Sequence, residues 1–112
     1  MLDKDKQYHL ADIISDMKDV DSRDDEFCLY GINDGKLDKN GSYYIADFPD
    51  IDDNDEELFP QIVVENELHY LYSGQQFADV IDTVLAQKPS ATLDDFVAAL
   101  NYYTEHDDFL DF

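Results

Sequence analysis

The stretch from Asp47 to Glu57 holds the densest group of side chains in this sequence that could do chemistry. Seven of its eleven residues are acidic and none is basic: Asp47, Asp50, Asp52, Asp53, Asp55, Glu56 and Glu57. Carboxylates at this density can bind the lysines and arginines of a basic partner, as phosphate groups do, or hold a divalent cation. They can also form a solvated loop that binds nothing, as charge runs often do.

A calcium site is the more specific of these alternatives. Asp50-x-Asp52-x-Asn54 copies the opening of an EF-hand loop. The copy then fails, because Asp55 occupies the place of the glycine that the sharp turn needs and Gln61 that of the bidentate glutamate. We therefore expect no dedicated metal site, and a metal-dependent enzyme with Asp and Glu ligands stays the weaker alternative.

Other catalytic patterns are missing from the sequence. His9, His69 and His106 have no metal-ligand spacing, and Cys28 lies in an apolar run typical of a buried strand. The four glycines are isolated, so no phosphate-binding loop is present. With 28 acidic residues, close carboxylate pairs arise without selection for acid–base chemistry. We expect no catalytic residue and no cofactor, and we do not expect an enzyme.

The net charge indicates a basic partner. The chain has 28 acidic and 7 basic residues, a formal charge of −21 over 112 residues. Its 44% hydrophobic and 13% aromatic content is too high for a disordered acidic tail. Self-repulsion opposes the folding of such a chain, whereas complementary charge on a partner speeds association. Direct binding to nucleic acid or to an anionic membrane is not expected, since phosphate contacts need lysine and arginine.

The charge is also unevenly distributed along the chain. Residues 1–39 have 11 acids and 6 bases, a net of −5, while residues 40–112 have 17 acids and one base, a net of −16. A salt-adapted proteome would also give an acidic surface poor in lysine, without any partner. That alternative predicts acids dispersed over every exposed face, whereas a partner predicts a cluster.

The sequence is typical of a single cytoplasmic domain spanning residues 1–112. The charged start of the chain lacks the apolar run of a signal peptide, and no segment approaches the ~20 apolar residues of a membrane span. Cys28 is the only cysteine, so no disulfide can form within the chain.

The periodicity predicts an α+β domain, with a small antiparallel sheet from about residue 27 to 72 packed against helices near 8–18, 74–87 and 93–104. The predicted strands are 27–30, 43–46, 61–64 and 68–72, of which the first two form a hairpin with a long loop. Turn signals lie at Asp34-Gly35 and Asn40-Gly41. Ser73 and Gln76 predict a capping box for the second helix, Pro89 ends it, and Thr92 caps the third.

Two sets of apolar residues surround the acidic run. Four apolar residues are interspersed with the acids or follow them directly: Phe48, Ile51, Leu58 and Phe59. We expect these residues to dock the acidic run on the domain while its acids face outward. Tyr43 and Tyr44 precede it on a predicted strand, where neighbouring side chains point to opposite faces. One tyrosine of this pair is therefore expected to be exposed, as an aromatic anchor for a partner beside the acids.

The C-terminal third resembles a known family. The segment QKPSATLDDF at 87–96, followed by ALNYY at 99–103 and DDF at 107–109, resembles small acidic bacterial immunity proteins of polymorphic-toxin and contact-dependent growth inhibition systems. The resemblance covers residues 73–109 at most. It implies a cytoplasmic protein that binds and neutralises a toxin domain, often a basic nuclease. It implies no particular contact residue, because immunity interfaces vary with their toxins.

The leading hypothesis is an immunity or inhibitor protein that occludes the active or substrate-binding surface of a basic toxin. The expected contacts are the seven acids of 47–57 with Tyr43 and Tyr44. The alternative is a DNA-mimic inhibitor of a host DNA-binding protein, of the anti-restriction or anti-CRISPR kind. Carboxylates spaced like duplex phosphates over several elements would favour the DNA mimic, and a single loop cluster would not.

Overall fold

The computed structural model describes residues 3–19, 21, 24–33 and 36–111, and within these ranges the chain forms six strands and four helices. The strands are β1 (Lys6–His9), β2 (Cys28–Gly31), β3 (Ser42–Ala46), β4 (Asp50–Ile51), β5 (Glu57–Leu58) and β6 (His69–Ser73). The helices are α1 (Leu10–Met17), α2 (Gln61–Glu65), α3 (Gly74–Gln87) and α4 (Leu93–His106). The predicted α+β class is confirmed.

Four of the strands form one antiparallel sheet in the order β1-β3-β2-β6. The predicted hairpin is the β2–β3 pair, in which Leu29 lies opposite Ile45. Asn40-Gly41 makes a turn in its loop, where the Gly41 amide donates to the carbonyl of Asp38 at 2.8 Å. The other turn signal, Asp34-Gly35, lies outside the described residues.

Strand β1 was not predicted, and it shortens the first helix. The predicted start at residue 8 is wrong, because Tyr8 pairs with Tyr43 as part of β1 and the helix begins at Leu10. Leu10 is also where the apolar stripe begins. Residues 6–9 are too polar and too short to signal a strand alone, so their pairing with β3 decides their structure.

One face of the sheet packs against α1, α3 and α4 and forms the main core. The apolar stripe of α1 is buried as predicted, and so is most of the α3 stripe. The predicted capping box of α3 is present, with the Gln76 amide donating to Ser73 Oγ at 3.1 Å and the Ser73 amide donating to Gln76 Oε1 at 3.2 Å. Thr92 caps α4 in the same way, reciprocally with Asp95.

The predicted strand at 61–64 is wrong, since these residues form the one-turn helix α2. Its β-branched run is typical of a strand, but tertiary packing overrides such preferences. Val63 is buried and Ile62 is half-buried against the other face of the sheet. The Asn66 side chain then ends the helix by donating to the Ile62 carbonyl at 2.8 Å.

The second face of the sheet carries a small apolar cluster beneath α2. Along β2 the side chains alternate, so that Leu29 lies in the main core while Cys28 and Tyr30 lie in the second cluster. Strand β3 alternates likewise, with Tyr43 in the main core and Tyr44 beside the second cluster. The second face positions the acidic segment.

Candidate protein-binding surface

The acidic segment folds into a hairpin of its own, formed by β4, β5 and the turn of residues 52–56. Asp50 lies opposite Leu58 and Ile51 opposite Glu57, and this pair is separate from the four-stranded sheet. The Asp55 amide donates to the carbonyl of Asp52 at 3.1 Å, which closes the turn. We call residues 50–58 the acidic hairpin.

Two aspartates of the acidic hairpin have structural roles in its turn. Oδ1 of Asp52 accepts hydrogen bonds from the amides of Asn54 and Glu56, each at 2.9 Å. Asp55 adopts a left-handed backbone conformation with φ of 61°, in which asparagine, aspartate and glycine are the favoured residues. Asp52 is therefore partly occupied as a turn cap, while Asp53, Asp55 and Glu56 accept no side-chain hydrogen bond from the described residues.

The structure offers no metal site in the part of the chain that it describes. No group of three histidine, cysteine, aspartate or glutamate side chains there is arranged to hold an ion. Asp52, the second aspartate of the EF-hand-like sequence, accepts main-chain hydrogen bonds with one of its carboxylate oxygens. This geometry suits a tight turn between strands.

Tyr30 attaches the acidic hairpin to the domain at both ends. Its hydroxyl donates to the carbonyl of Asp47, before β4, at 2.8 Å. Its ring meets the Phe59 ring, after β5, in an edge-on contact with centroids 6.3 Å apart. Burial raises the pKa of Tyr30 far above its ordinary value, so the hydroxyl keeps its proton.

An ion pair at the base of the hairpin strengthens this attachment. Lys4 Nζ lies 2.7 Å from Asp47 Oδ1. The hydrogen bond with Asp47 raises the pKa of Lys4, against the smaller opposing effect of burial. Asp47 is thus neutralised within the domain, unlike the acids that follow it.

The carboxylates of the acidic hairpin have no neutralising cation among the described residues. All six lysines there have partners elsewhere: Lys4 with Asp47, Lys6 with Asp3, Lys18 with the Phe96 ring, Lys36 with Glu105, Lys39 with Asp94 and Lys88 with Asp95. The six acids in the eight residues 50–57 therefore have no lysine of the described chain as a partner. Exposed acids also occur on the other faces, for example Asp12, Asp79 and Asp108. The acidic hairpin is thus the densest group of exposed acids on the described surface, and not the sole one.

The apolar residues of this segment are more exposed than predicted. Ile51 is 69% exposed, Leu58 53%, Phe48 46% and Phe59 37%, so the expectation that all four dock the run on the domain is wrong. Phe59 contacts a buried ring, that of Tyr30. Ile51 and Leu58 belong to the two-stranded pair β4–β5, which is separate from the four-stranded sheet, and Phe48 precedes it.

An open groove of about 550 Å³ lies beside the acidic hairpin. Its walls are Phe48, Pro49, Glu57, Phe59 and Tyr70. Tyr70 is 43% exposed, and its ring meets Tyr30 edge-on with centroids 5.9 Å apart. Sequence reasoning did not include this residue in the site. In the sequence, Tyr70 is distinguished only as one of several tyrosines on predicted strands. Its position beside the acidic hairpin follows from the fold, which brings β6 next to it.

The two tyrosines predicted as anchors occupy different environments. Tyr43 is buried in the main core, and its hydroxyl accepts a hydrogen bond from the Asp38 amide at 2.7 Å, so it cannot contact a partner. This corrects the prediction for Tyr43. Tyr44 is half-buried beside the second cluster and keeps some accessible surface.

Most of the chain matches a known protein family. Residues 7–112 match the family described as Domain of unknown function (DUF7716). The chain belongs to that family. No curated protein and no solved structure matches the chain. The matched region runs from β1 to the last residues and thus includes the acidic hairpin and the groove.

The remaining reactive side chains do not meet in a site. Cys28 is buried, as expected; burial raises the pKa of its thiol, and hydrogen bonds with the hydroxyls of Tyr70 and Tyr30 act in the opposite direction. His9 bonds to Ser42 Oγ at 3.1 Å, and His106 lies against the Tyr102 ring. The longest helices of the described chain have 14 residues, and none is long and apolar enough to cross a bilayer.

Proposed function

We propose that this protein is a cytoplasmic immunity or inhibitor protein that binds a basic toxin domain, such as a nuclease, and occludes its active or substrate-binding surface. The observation that carries the proposal is the acidic hairpin, whose carboxylates have no cation of their own among the described residues. The proposal involves no bond making or breaking.

The position of the hairpin supports binding in place of a nucleic-acid substrate. Asp53, Asp55 and Glu56 lie at its turn, the part most distant from the anchoring contacts of Tyr30. Carboxylates presented this way can pair with the lysines and arginines that a nuclease uses for phosphates. Charge of this sign also steers a basic partner toward the surface and speeds association.

The resemblance to immunity proteins supports the fold more than the interface. Its residues from 92 to 106 form α4 and its cap, and Phe96, Ala99 and Leu100 of that helix are buried in the main core. These residues are not available to a toxin. The contact surface is proposed from the geometry of the acidic hairpin, with Tyr44 at its margin.

The experiment that tests the proposal is an affinity capture from the source cytoplasm at low salt, with elution by a salt gradient. The informative variant is Asp53→Asn, Asp55→Asn and Glu56→Gln, which removes three charges and keeps each shape. Its matched control removes three exposed charges near the C-terminus, with Asp107→Asn, Asp108→Asn and Asp111→Asn. Asn suits both Asp55 and Asp107, which share a left-handed conformation.

We expect one stoichiometric basic protein that stays bound beyond ~0.5 M salt, where screening leaves only short-range contacts. The hairpin variant should lose it and the C-terminal variant should keep it. Equal losses in both variants would mean that total charge, and not the acidic hairpin, decides binding. Many basic proteins that leave together at modest salt, with no stoichiometric partner, would favour the salt-adapted alternative. Capture of a host DNA-binding protein would instead favour the alternative function, a DNA-mimic inhibitor of that protein.

A further inference from the structure

The groove beside the acidic hairpin combines aromatic walls with a carboxylate. Phe48, Phe59 and Tyr70 supply three rings, Pro49 a fourth apolar wall, and Glu57 an acid at the rim. Burial is the main cause of the raised pKa of Tyr70, followed by the neighbouring Cys28. The negative charge of Glu57 makes a smaller contribution, so Glu57 is close enough to act electrostatically on this wall of the groove. A cation is the group that gains from both a ring face and a carboxylate.

Two of the rings are held in place before any ligand arrives. The buried Tyr30 ring meets Phe59 at 6.3 Å and Tyr70 at 5.9 Å between centroids, edge-on in both cases. Such rings lose little conformational freedom on binding, which favours affinity. The groove volume of about 550 Å³ is sufficient for a long side chain with part of its backbone.

We propose that this groove binds an arginine side chain of the basic partner, with the guanidinium stacked on the rings and paired with Glu57. The inference rests on the proposed function, and it names the group on the partner that the surface recognises. Arginine fits better than lysine because its planar guanidinium is weakly hydrated and can stack on a ring while forking to a carboxylate. The other carboxylates of the acidic hairpin, to which Glu57 belongs, add negative charge complementary to a basic partner.

The test uses two peptide probes and NMR spectroscopy of the full chain at about 0.1 M salt, where charges beyond about 10 Å are screened. The probes are acetyl-Gly-Arg-Gly-Arg-Gly-amide and its lysine counterpart. Binding of the arginine probe in the groove should shift the ring signals of Phe48, Phe59 and Tyr70, and ring currents should move the arginine methylene signals upfield. The arginine probe should bind several-fold more tightly than the lysine probe, since stacking adds to charge pairing.

The variant Phe48→Leu with Tyr70→Leu keeps the groove apolar but removes two rings. We expect it to weaken the arginine probe about 5- to 10-fold and the lysine probe less, because each cation–ring contact contributes a few-fold in affinity. Phe109→Leu is the matched control, as Phe109 is an exposed ring that packs on Tyr103 away from the groove. Main-sheet amide signals report whether each variant is folded.

Each result separates the inference from the proposed function. Equal affinity for both probes, or an unchanged affinity in the folded double variant, overturns the arginine site. If the Asp53→Asn, Asp55→Asn and Glu56→Gln variant then still loses the captured partner, the proposed function stands without the groove. Arginine binding in the groove without any basic partner in the capture experiment would instead overturn the proposed function alone.

Discussion

Tyr30 donates a hydrogen bond from its buried hydroxyl to the main-chain oxygen of Asp47, over 2.8 Å. This bond joins the centre of the sheet to the start of the acidic hairpin. The same side chain contacts Phe59 where the hairpin ends. One tyrosine of β2 therefore contacts the chain on both sides of the hairpin that carries six acidic residues.

Tyr30→Phe should loosen the acidic hairpin while the sheet stays intact. The variant keeps the ring contacts but loses the hydrogen bonds of the hydroxyl with the Asp47 carbonyl and the Cys28 thiol, so the free energy of unfolding should fall by at least about 1 kcal/mol. Hydrogen exchange across 47–59 should become faster, as measured by mass spectrometry. Tyr72→Phe is the control, because its hydroxyl bonds to α4 instead. Unchanged exchange across 47–59 in Tyr30→Phe would show that other contacts hold the hairpin.

Asp55→Gly and Asp55→Val remove the same charge but should differ in effect. Glycine adopts a positive φ without strain, whereas a β-branched side chain there costs about 1–2 kcal/mol. Exchange of the Glu56 amide, which donates to Asp52, should be near that of the parent in Asp55→Gly and much faster in Asp55→Val. Equally accelerated exchange in both variants would mean that the charge of Asp55, and not its backbone conformation, holds the turn. Exchange equal to that of the parent in both would mean that neither does.

Salt should stabilise the free protein. The net charge of −21 creates self-repulsion, and raising KCl from about 0.1 M to about 1 M shortens the screening length from about 10 Å to about 3 Å. The melting temperature, followed by circular dichroism, should rise over this range. The Asp53→Asn, Asp55→Asn and Glu56→Gln variant should melt higher than the parent at low salt, with a gap that narrows at high salt. A gap independent of salt would exclude repulsion as its cause.

Tyr72 should make the fold sensitive to alkaline pH. Burial raises the pKa of Tyr72 to about 12, and its hydroxyl contacts the Leu100 carbonyl and Thr104 Oγ1. Above pH 10 the unfolded chain releases the tyrosine proton while the folded chain keeps it, so stability falls as pH rises toward 12. The loss attributable to this group is about 2 kcal/mol by pH 12.

Urea denaturation of the parent and Tyr72→Phe measures this loss. The hydroxyl should contribute about 1 kcal/mol at pH 8, where it is neutral in both states. Its contribution should decline above pH 10 and reverse near pH 12. A constant difference between the two proteins over this range would show that Tyr72 ionises as readily in the folded chain as in the unfolded one.

The sequence predicted best those elements whose ends carry local signals. Helices α3 and α4 each have a capping residue, a reciprocal partner three residues later and a continuous apolar stripe. Strands β2 and β3 were also predicted, because the short apolar runs 27–30 and 43–46 are separated by turn signals. Strand β1 was missed, since the strand with which it pairs, β3, is more than thirty residues away in the chain.

The errors in the candidate site concern which face of the sheet is covered and by what. Alternation predicted one exposed tyrosine of the pair Tyr43 and Tyr44, but Tyr43 lies in the main core and Tyr44 is half-buried beside the second cluster, to which α2 contributes. The position of the acidic cluster could be read from the run of aspartates. The groove could not, because Tyr70 and Phe59 meet only through Tyr30.

The strand order has a consequence for how copies of the chain behave in solution. Strands β1 and β6 are the outermost of the four-stranded sheet, and outer strands can pair with another copy. At neutral pH, like charge keeps copies apart. Near the isoelectric point of about 4.1 that repulsion disappears, and the solution should become colloidally unstable before the helices melt. The same acidic surface that is proposed to recognise a partner thus also prevents self-association.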